Sequence, residues 1–173
     1  YCDGDRVLHW AEHYPRELAQ VVARLPENDL TVLGRTERAF LSHPRVQRDT
    51  EAIVNHAFRA ITGLSWDLMS AARGLSRPAS EAILERCLDE EISTDVSWPL
   101  CLRSLGGFSL GYIATEGLEF ETPARYREEI AAAGGYDAWL KDRDSDLNRW
   151  LHRLEFARTH LKAMLPFSPG EDK

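Results

Sequence analysis

The strongest periodicity in the chain lies near its C-terminal end. Leu147, Trp150, Leu151, Leu154, Ala157, Leu161, Met164 and Leu165 recur at three- and four-residue steps, the spacing that gathers side chains on one face of a helix. Ser145 stands ahead of the stripe as a cap, Asp146 suits the positive helix end, and Pro166 follows the last turn. A helix over 145–165 is therefore expected, with its stripe turned inward. A second stripe of Val46, Ile53, Val54, Ala57, Phe58 and Ile61 predicts a helix over 44–62.

Elsewhere the pattern is set by punctuation. Pro15, Pro44, Pro78, Pro99 and Pro123 each open a stretch of helical character, and Ser42, Ser76, Ser97 and Thr122 lie just upstream of four of them as caps. Gly63, Gly74 and Gly134 fall where left-handed residues would close helices. Helices are expected over 5–14, 15–25, 36–43, 44–62, 65–73, 79–91, 98–115, 123–133 and 145–165, with a further turn near 136–141. β character is confined to 30–33 and 118–121. The expected architecture is all-α: an irregular bundle of about eight to nine helices. It forms a single domain over 1–166, with 167–173 as a flexible tail.

Composition narrows the function classes. With 173 residues, 43% apolar and 28% charged, the chain can bury a core without disulfide or metal. Its net charge of −7 and pI near 5.4 give no summed positive field. Nucleic acid and anionic membrane are therefore disfavoured partners, and a protein partner, a basic one by preference, is favoured. The longest apolar stretch, 98–114, is broken by Arg103 and Ser104 and carries three glycines, too short and too interrupted to span a bilayer. Cys2, Cys87 and Cys101 are odd in number and lack a CxxC pair, against a disulfide framework or thiolate metal site. A reducing, cytoplasmic location is expected. A signal peptide already removed is the alternative, since the chain starts at Tyr1.

Several constellations are candidates for chemistry. Gly107-Phe108-Ser109-Leu110-Gly111 matches G-x-S-x-G, the nucleophile elbow of α/β-hydrolases, with Asp137 and His152 following in triad order. That elbow needs a preceding buried parallel strand, which the pattern does not predict. The bland reading lets Gly107 and Gly111 bring two helices close. His9 and His13 are four apart, and His152 precedes Glu155 by three. Both pairs are candidate metal ligands, yet the wheel sets them opposite the faces carrying Trp10 and Leu154, so a solvated polar face is expected and no metal or cofactor. Arg158 falls inside the last stripe, where a guanidinium must snorkel, pair or meet an anionic ligand; Arg103 poses the same question. Asp89, Glu90 and Glu91 form the densest acidic run, a candidate surface for a basic partner. Trp98 and Trp139 sit near helix ends, placed to anchor a partner. The function expected is an acidic protein-interaction or regulatory, neutralising module. A small helical enzyme or ligand-binding protein with an interior arginine pocket is the alternative, and a serine hydrolase using Ser109 comes third.

Overall fold

Among the described residues, Leu30 to Arg35 is the one stretch in which six consecutive residues are all buried, and it forms the central strand of a three-stranded sheet. The computed structural model describes residues 1–87, 92–120 and 125–168. Among these, strand β1 (Leu30–Arg35) is flanked by β2 (Arg73–Leu75) and β3 (Leu110–Thr115). β2 runs antiparallel to β1, with Leu30 opposite Leu75. β3 runs parallel to it, with Leu30 opposite Leu110 and Arg35 opposite Thr115.

Around the sheet lie α1 (Gly4–His13), α2 (Pro15–Arg24), α3 (Glu37–Leu41), α4 (Arg45–Thr62), α5 (Arg77–Arg86), α6 (Thr94–Leu105), α7 (Arg127–Ala132), α8 (Tyr136–Ser145) and α9 (Leu147–Met164). Alternation along the strands divides the interior in two. Leu30 and Val32 face the larger core with Val54, Phe58, Ile83, Leu100, Leu102 and Met164, joined by Leu110 and Tyr112. Leu33 and Ile113 face a smaller one with Trp10, Val21 and Leu118. Thus α1 and α2 cover one face of the sheet, and α4, α5, α6 and α9 the other.

The sheet corrects the all-α expectation. β3 lies wholly where a helix was expected, and β2 begins at Arg73, the last residue of another. The helix expected over 98–115 is α6 only as far as Leu105, because Gly106 and Gly107 take φ of 70° and 79°, a region from which a right-handed helix does not continue. Beyond them Leu110, Tyr112 and Ile113 pair with β1. The segment 65–73 is not helical either. It crosses the interior as irregular chain, with Leu68, Met69, Ser70 and Ala72 buried. Side chains and β1 satisfy its polar groups: Asn55 Oδ1 accepts from the Leu68 N–H at 3.0 Å, and the Ser70 hydroxyl donates to the Leu33 carbonyl. Gly74 lies in β2 rather than at a helix end. Of the two β-like runs, 30–33 lies in β1, whereas 118–120 is not strand, and Glu121 is outside the described residues.

Several local signals act as expected. Pro15 opens α2, the Ser76 hydroxyl accepts from the Ala79 N–H at the start of α5, and Gly63 closes α4 at φ 76°. Others shift: Pro99 lies inside α6, Ser42 closes α3, and Asp146 rather than Ser145 caps α9. Pro123 and Thr122 lie outside the described residues. No helix among the described residues is long and apolar enough to cross a membrane.

Candidate functional site

The two edges of the sheet differ. On the β2 side, the Arg73 N–H donates to the Tyr1 carbonyl and the Tyr1 nitrogen to the Arg73 carbonyl, both at 2.8 Å, so that edge is closed. On the β3 side the Leu30 N–H donates to Ser109 and the Thr36 N–H to Thr115. In a parallel ladder this register turns the backbone groups of 109, 111, 113 and 115 toward β1 and those of 110, 112 and 114 away from it. No described strand pairs on that side. β3 therefore presents outward-facing N–H and C=O groups along an uncharged strand, Leu-Gly-Tyr-Ile-Ala-Thr, the arrangement onto which another chain adds as a strand.

Beside this edge opens a cleft of about 380 Å³, with Phe40, Asn55, His56, Arg59, Trp66 and Tyr112 among its walls. The Trp66 and Tyr112 rings stack, with centroids 5.8 Å apart and planes at 12°, and Phe58 stacks on Trp66 at 6.0 Å. Gly34 makes this possible, because a Cβ there would fall inside the Tyr112 phenol.

Under the aromatic wall runs a chain of buried charge. Arg35 donates from Nε to Asp67 Oδ2 at 2.7 Å and from Nη2 to Asp67 Oδ1 at 2.9 Å. Nη2 also reaches Glu51 Oε2 at 2.6 Å, and Arg153 holds the other oxygen of Glu51. Asn55 Nδ2 donates to Asp67 at 2.9 Å. Burial works against the Arg35 charge, but Glu51 and Asp67 overcome it, so its pKa is raised. Burial likewise pushes Asp67 up, and the hydrogen bonds from Arg35 and Asn55 bring it below its ordinary value. The bonds from Asp67 to Arg35 and Asn55 hold the 64–72 segment against β1 and α4.

At the start of β3, Ser109 closes a turn with Asp29. Its hydroxyl donates to Asp29 Oδ2 at 2.9 Å, its N–H donates to the same oxygen, and Ser76 donates to Oδ1. These hydrogen bonds hold the Asp29 carboxyl below the usual range. No imidazole is hydrogen-bonded to Ser109 among the described residues, and Gly111 lies in β3 against Asn28, so the two glycines of the motif do not join helices. Asp29 and Glu27 give this end of the strand an acidic groove of about 410 Å³.

The other residues singled out from sequence do not converge. Arg158 is exposed and pairs with Glu155 at 2.8 Å; Arg103 is exposed on the last turn of α6. Trp139 is buried, donating from Nε1 to Glu129 at 3.2 Å inside an aromatic cluster with Phe120, Tyr126 and Tyr136. His9 and His13 stack with centroids 4.3 Å apart. His9 is not on a solvated face: it lies 3.3 Å from Glu119, which also receives the Tyr14 hydroxyl at 2.8 Å and Arg38 at 2.6 Å. His152 is exposed at the start of α9. Among the described residues, no three His, Cys, Asp or Glu side chains are grouped to hold a metal. Asp89, Glu90 and Glu91 lie outside the described residues. Trp98 does line a cleft, described below.

The residues that sequence reasoning passed over are Arg35, Glu51, Trp66, Asp67 and Tyr112. One signal was available: Gly106-Gly107 followed by apolar residues at 108, 110 and 112 is a turn followed by period-two alternation, which marks a strand. Neither the family models, nor the curated proteins, nor the solved structures compared with this chain match it.

Proposed function

We propose that this chain is a protein-interaction module that takes an extended segment of a basic partner protein onto the open edge of β3. The observation that supports the reading best is the one-sided hydrogen bonding of β3, with the backbone groups of Leu110, Tyr112 and Ala114 turned away from β1. Main-chain bonds along such an edge supply affinity, and neighbouring pockets supply side-chain preference. Here the Trp66–Tyr112 cleft suits a flat apolar side chain, while Glu27 and Asp29 at the start of the strand suit a cationic one. A net charge of −7 speeds encounter with a basic partner.

The test uses Ala114→Pro. Residue 114 faces away from β1 and its side chain is exposed, so proline removes one outward donor and leaves the β1–β3 ladder in place. A partner captured by the wild-type chain is expected to be lost by this variant. In the wild-type complex the amide protons of Tyr112 and Ala114 should exchange more slowly than in the free protein. A partner that binds both forms equally, or that protects only α9, would overturn the proposal.

A further inference from the structure

On the far side of the Arg35–Glu51 pair lies a second cleft, of about 560 Å³, where α1, α4, the 69–71 segment, α6 and α9 meet. Trp98, Phe156 and Met69 supply apolar wall, and Arg6, Arg153, Glu51 and Asp95 supply charge. The two carboxylates are engaged. Glu51 binds Arg35 and Arg153, and Asp95 binds Arg73.

The arginines are not equally engaged. Arg6 makes no side-chain hydrogen bond or ion pair with any described residue, and its Nη1 is buried without a partner. Arg153 uses Nη2 on Glu51, while its Nε is buried without a partner. Glu51, Asp67 and Asp95, the carboxylates in and behind the cleft, are held by Arg35, Arg73 and Arg153. Arg6 is left with no carboxylate bonded to its side chain, and Asp3, which shares the cleft wall, is exposed to water. Arg6 is half-buried, and a cationic donor atom withdrawn from water without an acceptor, as Nη1 is, is costly. The same wall carries Ala71 at φ 55°, left-handed backbone that a residue with a Cβ adopts at a cost and that gathers at binding sites.

We propose that this cleft binds a small organic anion: a carboxylate on a flat apolar body, with the head on Arg6 and Arg153 and the body against Trp98, Phe156 and Met69. The site is separate from the β3 edge and does not depend on what docks there. Arg6 is its positioning charge, because it is the guanidinium the fold does not otherwise use.

Benzoate is the probe, titrated into the full chain by calorimetry, with the Trp98 indole N–H signal followed by NMR. Benzylamine and inorganic phosphate serve as charge and shape controls. Saturable benzoate binding that shifts the Trp98 signal is expected, stronger than binding of either control. Arg6→Gln is expected to weaken it by at least about tenfold with the far-UV spectrum unchanged. Trp98→Leu should weaken benzoate but leave acetate binding as it was, which separates the wall from the head. Ala114→Pro should leave benzoate binding unaltered. Absence of saturable binding, a preference for benzylamine, phosphate binding as tightly as benzoate, or indifference to Arg6→Gln in a folded variant would each overturn the proposal.

Discussion

His43 is closed off from water at the end of α3, its ring 5.2 Å from that of Phe120 and its Nδ1 3.0 Å from the Ala39 carbonyl. Nδ1–H is therefore the donor, and the unprotonated Nε2 is buried without a partner. Burial, reinforced by the nearby charges of Arg35 and Arg6, lowers its pKa to about 3. The folded state thus binds fewer protons than the unfolded one between about pH 6.5 and pH 3. The stability that follows from this is complete above the upper value and lost as pH falls toward the lower, at up to about 1.4 kcal/mol per pH unit. Chemical melts across that range should show the slope in the wild-type chain and a flatter profile in His43→Asn, whose amide keeps the bond to Ala39. Glu51 makes a contrasting case. Both of its oxygens hold a guanidinium and it is 2% exposed, so Glu51→Gln leaves Arg35 and Arg153 short of a counter-charge and should cost about 3–5 kcal/mol. The exposed Arg77–Glu81 pair should be worth under about 1 kcal/mol in the same melts.

At the scale of the element, α9 is the informative case, because the helix forms where the pattern requires and yet buries only part of the expected stripe. Leu147 is 75% exposed and Leu151 63%, whereas Ala157 and Met164 are 3% and 4% exposed. Helix α9 meets α4 through Arg153 and Glu51, and its buried side runs through Ala157, His160 and Met164. That packing places Arg158 in solvent beside Glu155. Met164→Ala should accordingly destabilise by about 2–5 kcal/mol, while Leu151→Gln and Arg158→Met should each change stability by less than about 0.5 kcal/mol. A large loss for Leu151→Gln in the isolated chain would contradict this orientation. The α6–β3 junction shows the other side of element formation: two glycines at positive φ end one periodicity and begin another within five residues.

At the scale of the molecule, the small sheet is what the helices are arranged around. β1 is buried on both faces and pairs on both sides, so any change that lifts β3 opens both cores. Gly34→Ala is the sharpest such change, since its Cβ meets the Tyr112 ring that helps wall the aromatic cleft. It should cost about 1–3 kcal/mol by overpacking and loosen the Trp66–Tyr112 stack, read as a change in near-UV circular dichroism. The buried chain from Asp67 through Arg35 and Glu51 to Arg153 crosses the interior between the two clefts. It joins the irregular 64–72 segment, β1, α4 and α9, elements whose local sequences carry no instruction to meet.

What the sequence determined by itself is local. The existence of α1, α2, α4, α5 and α9, the closing of α4 at Gly63 and the capping of α5 at Ser76 follow from periodicity, φ preference and short-range hydrogen bonds, all of which act within a few residues. The tertiary structure alone decided which part of the α9 stripe is inside, because an apolar stripe specifies a side of the helix but not the neighbour that covers it. It alone decided that 110–115 pairs in parallel with 30–35, because a strand's partner lies some eighty residues away and leaves no mark in either segment. Arg35, Glu51 and Asp67 carried no signal of burial, since a charged residue is withdrawn from water only where another part of the chain brings its counter-charge. The open edge of β3 and the unpaired Arg6 belong to that same long-range level, where the packing of distant segments fixes which groups are left without partners.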